Sequence, residues 1–138
     1  IMAINYQLYK MKRTGSAFDG KIYARAKYNE MYDLNKLAQH MAAHNTNFSR
    51  GQILAVLTDM VACTRERCQQ SKKVKSENLG IFYPSRTSLP AEDTKKFNAR
   101  LHILAAHIRF LPSGENATKL YRKEATLREA GNYENGLE

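Results

Sequence analysis

Several things are missing from this chain, and each absence removes a class of function. No apolar run approaches the ~18 residues of a membrane span, and no hydrophobic run of signal-peptide type opens the sequence, so a soluble cytoplasmic protein is expected. Met2 is the expected natural start, with Ile1 an addition before it. Cysteine is limited to Cys63 and Cys68. They stand five positions apart in what reads as one helix, where a rise of ~1.5 Å per residue separates them too far along the axis for a disulfide. Without further Cys or His at ligand spacing they are expected to be reduced thiols, not metal ligands.

Catalytic signatures are missing too. There is no glycine-rich phosphate loop, no nucleophile elbow and no carboxylate pair at a working separation. His40 and His44 share a helical face but lack the intervening Glu of a zinc-protease motif and any third ligand. His102 and His107 fall five apart in a predicted strand and therefore face opposite sides of it. No enzyme, cofactor, metal or small-molecule substrate is expected.

Acidic residues are scarce as well: 13 Asp and Glu oppose 22 Lys and Arg, a formal net charge of +9 over 138 residues. Residues 1–50 carry 8 basic and 3 acidic groups, residues 51–100 carry 9 and 5, and residues 101–138 carry 5 and 5. The excess sits in the first hundred residues, where clustered cations would meet a polyanion with counterion release. A chain of this length makes one domain with a modest core, and dimerisation would enlarge that core.

Residues 4–13 and 21–28, around a turn-like stretch from Thr14 to Gly20, predict a β-hairpin. In its second strand Ile22, Ala24, Ala26 and Tyr28 alternate with Lys21, Tyr23, Arg25 and Lys27, giving one apolar face and one basic face with an aromatic inset. On that basic face Tyr23 has two readings, base stacking and ordinary cross-strand packing. Asp33 caps a predicted helix with Leu34, Leu37, Ala38 and Met41 in its stripe, ending near His44. Ser49 caps a longer one with Ile53, Leu54, Leu57, Met60, Val61 and Thr64, reaching about Gln70.

A strand is then expected from Lys72 through Gly80, a turn or bulge, into Ile81, Phe82 and Tyr83, with Pro84 ending regular pairing. Pro90 to Asp93 reads as a short helix start, Leu101–Phe110 as a returning strand, and about Asn116–Arg128 as a last helix. Residues from Gly131 are expected to fray. Between the two punctuated segments, Leu79–Tyr83 and Ile108–Gly114, lie Arg86, Lys95, Lys96 and Arg100 with little apolar pattern. A basic arm on an anchored base is a device for holding nucleic acid.

The order of these parts, with the short motifs Leu79-Gly80-Ile81-Phe82 and Phe110-Leu111-Pro112-Ser113-Gly114, resembles the HU and integration host factor family of bacterial nucleoid proteins. It is most similar to the divergent histone-like branch of Bacteroides-type bacteria, which has an extra N-terminal strand region like residues 4–28. The resemblance implies an α+β, HU-like fold in which a helical hairpin packs on a small antiparallel sheet with a modified β-arm and a C-terminal helix. The expected layout is an N-terminal hairpin over residues 1–30, the DNA-binding domain over 31–130 and a frayed tail over 131–138.

The resemblance also implies a homodimer that clasps double-stranded DNA in the nucleoid without sequence preference. It places Lys72, Lys73 and Lys75 beside phosphates, Arg86, Lys95, Lys96 and Arg100 along the arm and Arg109 at its root. Ser113, Gly114 and Lys119 would meet phosphate at the start of the final helix. The chain departs from the family in one place: the Arg-Asn-Pro-x-x-Gly tip, whose proline wedges between base pairs, does not occur between Phe82 and Phe110. Leu89-Pro90 stands there as a wedge or a plain turn, beside Glu92 and Asp93, which repel phosphate. The rival function is a protein-interaction module on the same scaffold that has lost DNA bending.

Overall fold

A computed structural model describes residues 2–130 of the chain. They form two compact units, one of residues 2–31 with 122–130 and one of Tyr32–Tyr121.

The first unit is a three-stranded sheet. Strands β1 (Ile4–Lys10) and β2 (Ile22–Ala26) form the expected antiparallel hairpin, with Tyr9 opposite Tyr23. Gly15 and Gly20 in its connection have φ of 82° and 79°, a region open to glycine at no steric cost. The sheet has a third member that sequence periodicity does not reveal. Leu127–Glu129, expected as the end of the last helix, is a strand lying parallel to β1 on its other edge. A three-residue strand has almost no periodic signature, and its backbone groups are satisfied only by a partner more than a hundred residues away. Asn5 on the central strand is buried. Its side chain links the segment after β2 to β6, donating to Asn29 Oδ1 at 3.2 Å and accepting from Arg128 Nε at 3.2 Å.

The second unit opens with the helical hairpin, α1 (Leu34–Ala43) and α2 (Arg50–Gln69). Both starts follow from their caps. Asp33 accepts from the Lys36 N–H at 2.8 Å. Ser49 and Gln52 form a reciprocal capping box, each side chain bonding the other's backbone N–H. Such caps are worth about 1 kcal/mol each. The C-terminus of α2 closes without glycine: Ser71 takes φ 61°, its N–H reaches the Cys68 carbonyl, and the Lys72 N–H reaches the Arg67 carbonyl. This is the Schellman pattern. It delivers Lys72 and Lys73 directly onto the next strand.

That strand does not run on through Gly80. Val74–Ser76 (β3) turns at Asn78, φ 59°, and Gly80–Ser88 (β4) returns antiparallel to it. Nor does Pro84 end the pairing: β4 continues past it opposite β5 (Ile103–Pro112), with Pro84 beside Ile108. Proline is tolerated because β3 pairs only as far as Phe82, so the edge from which Pro84 would have donated is open. The arm is therefore a long two-stranded ribbon. At its distal end Pro90–Asp93 is not helical. A single helical turn, α3 (Ala99–His102), comes later, and the Leu89 N–H closes the loop on the His102 carbonyl. His102 lies in α3 and not in the strand with His107.

After β5 a 3-10 turn (Gly114–Asn116) leads to α4 (Thr118–Glu124), shorter than the helix expected to reach Arg128. The tail expected to fray, residues 131–138, lies outside the described residues.

The cores are thin. Among the described residues the only buried apolar side chains are Ala38, Ile53 and Cys68, and none of the large side chains is fully buried.

Candidate nucleic-acid interface

Strand alternation divides the β3-β4-β5 sheet into two faces. One carries Val74, Phe82, Pro84, Ala106, Ile108 and Phe110, and the Phe82 and Phe110 rings stand 5.0 Å apart. Pro84, Ala106 and Ile108 share a cavity with Arg65, Cys68 and Gln69 of α2, which His107 also lines, so α2 lies along this side of the sheet. The other face carries Lys75, Ile81, Tyr83, His107, Arg109 and Leu111. Lys73, one residue before β3, has its ammonium 5.7 Å from the Tyr83 ring centre and so belongs with them.

Lys73, Tyr83 and Arg109 thus form a row across the three strands, with Lys75 in the neighbouring row. All three cations are exposed. The strands themselves place no carboxylate on this side. The nearest ion pair is Lys75 to Glu77 in the adjoining turn, 3.7 Å apart and well solvated, which leaves the lysine largely available to a stronger anion. Arg109 is further oriented by donating its Nε–H to His107 Nε2 at 3.0 Å. Lys72 is exposed at the start of the same segment.

The remaining sequence-predicted positions do not join this row. Arg86 pairs with Ala106 and points to the opposite face. Lys95, Lys96 and Arg100 lie in the distal loop. There Lys96 is ion-paired to Glu92 and its backbone N–H donates to Asp93. Arg100 sits in α3, capped by Asn98. Lys119 is exposed on α4.

Ser113 and Gly114 use their backbone internally. The Ser113 N–H reaches the Leu79 carbonyl, and the Glu115 N–H donates to Asn78 Oδ1 at 3.2 Å. Gly114, φ 62°, approaches Asn78 so closely that an added Cβ would lie 2.6 Å from its Oδ1. Ser113 Oγ is buried with no hydrogen-bond partner among the described residues. This segment fastens the β3–β4 turn, and through it the strand that bears Lys75.

The roles of three residues here escaped the sequence reading. Tyr83 joins the basic face because it pairs with Arg109, a register that no local pattern shows. Asn78 was legible as the short polar residue of a turn, the type that tolerates positive φ. Gly80 was noted as a turn, yet its function is close packing: an added Cβ would fall 2.4 Å from the Phe110 ring.

In fold, the chain is similar to a candidate bacterial DNA-binding protein from Bacteroides vulgatus ATCC 8482, with a TM-score of 0.66 at 11% identity, over 93% of this chain and 48% of that one. The chain therefore spans about half the length of that protein. An HU–DNA cocrystal structure from Anabaena is matched at a TM-score of 0.44 and 19% identity, over 67% of this chain and 96% of that one. No curated protein matches the chain. Residues 2–126 match the family described as an HU domain fused to wHTH, Ig, or Glycine-rich motif. With that match spanning most of its length, the chain belongs to the HU-HIG family and has an HU-like α+β fold.

Proposed function

We propose that this protein binds double-stranded DNA with little sequence preference, as a homodimeric architectural protein of the bacterial cytoplasmic nucleoid. The observation that carries the reading is the row of Lys73, Tyr83 and Arg109, with Lys75 and Lys72 beside it, on the sheet face turned away from α2. Cations on a rigid sheet attract phosphate and release counterions, and they do so regardless of base sequence. Arg86 on the opposite face, Lys95, Lys96 and Arg100 in the distal arm and Lys119 on α4 lie outside that row and add only to the overall positive field. Ser113 and Gly114 contribute by holding the turn beneath Lys75. Membership of a family built on an HU domain supports the same reading. Sharp kinking is not part of the proposal, because the distal loop is partly neutralised by its own carboxylates.

The dimer is supported by the helical hairpin. Phe48 and Val56 are 64% and 68% exposed, and with Met41, Ile53 and Leu57 they line an open apolar groove of about 380 Å³. Exposed apolar surface of this kind is covered in a stable protein, and a second copy covers it symmetrically. Solution mass together with a gel shift on random duplex tests both parts. A dimer mass, and binding that falls by orders of magnitude between about 50 and 200 mM salt, is the expected result. A monomer overturns the dimer, and binding that is absent or indifferent to salt overturns the DNA surface, leaving the interaction-module function.

A further inference from the structure

The sheet of the first unit has a basic face of its own. Alternation along β1 and β2 puts Tyr9 and Tyr23 side by side, with Arg25 next along the strand. Their ring centres are 6.1 Å apart with planes tilted by 33°, and the Arg25 guanidinium lies 5.5 Å over the Tyr9 ring. The same alternation, carried one residue past each end of β2, brings Lys21 and Lys27 to this side. Lys21 is held there by the bond between its carbonyl and the Met11 N–H. Arg128 on β6 joins them, since it donates to Asn5, whose position shares the face. The four cations are exposed and both tyrosines are half-buried. The strands place no carboxylate here: Glu129 pairs with Tyr6 and falls on the opposite side.

We infer that this face is a binding platform for single-stranded nucleic acid, with unpaired bases stacking on the Tyr23, Tyr9 and Arg25 row and phosphates held by Lys21, Lys27 and Arg128. The chemistry is specific to unpaired bases. Neighbouring aromatic rings on a sheet face suit a ligand that presents flat faces, and in a duplex those faces are already stacked on one another. The flanking Lys21, Lys27 and Arg128 are cations, which suits a ligand that is also a polyanion. An acidic peptide satisfies the charge but supplies no regular series of rings. The residues involved are different from those of the lysine and arginine face of the β3-β4-β5 sheet, and the inference does not depend on the duplex reading.

The test is fluorescence anisotropy with labelled oligo-dT and oligo-U about 15 nucleotides long, run beside a labelled random duplex on the same full chain. The unmodified protein binds the single strands. Changing Tyr9→Ala and Tyr23→Ala together weakens that binding by about tenfold or more and leaves duplex affinity unchanged, while Tyr23→Phe retains it. Lys21→Glu with Lys27→Glu also weakens it and lowers its salt slope by about one unit. Tighter binding of dT assigns the site to DNA, and tighter binding of U assigns it to RNA.

If the tyrosine pair disturbs the sheet, as circular dichroism would show, the lysine pair decides alone, because those side chains lie at the rim of the sheet. No single-strand binding by the unmodified protein overturns the inference, as does unchanged affinity in a folded tyrosine pair or in the lysine pair. A parallel loss of single-strand and duplex binding means one common surface and also overturns it. Loss of duplex binding in a Lys72, Lys73 and Lys75 variant that still binds dT would separate the two sites.

Discussion

The root and the distal end of the β4–β5 arm contain similar numbers of cations and use them differently. At the root, Lys73, Lys75 and Arg109 are fixed by strand register on one face, and the carboxylate that pairs with Lys75 is the solvated Glu77. At the distal end Lys96 is bound to Glu92, Asp93 bonds the chain at Lys96, and Arg100 lies on a single helical turn. The difference teaches that formal charge is a poor guide to a polyanion surface. What counts is whether a rigid element aligns the cations and whether acids in the same turn already satisfy them.

The sharpest way to break this comparison is to reverse charge at each end separately. Lys72, Lys73 and Lys75 all changed to Glu should lower duplex affinity on the order of a hundredfold and reduce the salt slope by about three units. Equal affinity and slope in a salt titration would remove the root from the interface. Gly80→Ala attacks the same end through packing. The added Cβ would collide with the Phe110 ring and the Leu111 carbonyl. A loss of about 1–3 kcal/mol in urea unfolding is expected, with duplex affinity falling only where the sheet has melted.

At the distal end, Lys95, Lys96 and Arg100 changed together to Glu should cost several-fold less affinity than the root triple. A larger loss than at the root would invert the comparison. The smallest effect sharpens it: Glu92→Gln releases Lys96 from an exposed pair worth less than about 1 kcal/mol, so duplex affinity should rise by no more than about threefold. An unchanged gel shift would mean that Lys96 is remote from DNA.

Much of this was legible in the sequence. Asp33 and Ser49 mark both helix starts because a cap is a contract between residues three positions apart. The hairpin of β1 and β2 follows from alternation within a dozen residues of each other. Pro84 misled because its cost depends on whether a neighbouring strand occupies that edge, and β3 ends before reaching it. Leu127–Glu129 misled because it is too short for any period and becomes a strand only by lying against β1.

The candidate site divides along the same line. The chain's own residues determined that it would be basic, that α1 and α2 would begin and end where they do, and that an anchored arm would leave the sheet, since composition, capping and periodicity are local. Only the tertiary structure decided which cations stand together. Lys73, Tyr83 and Arg109 are scattered over 37 residues and meet because three strands pair in one register. A shift of one position would send each side chain to the other face.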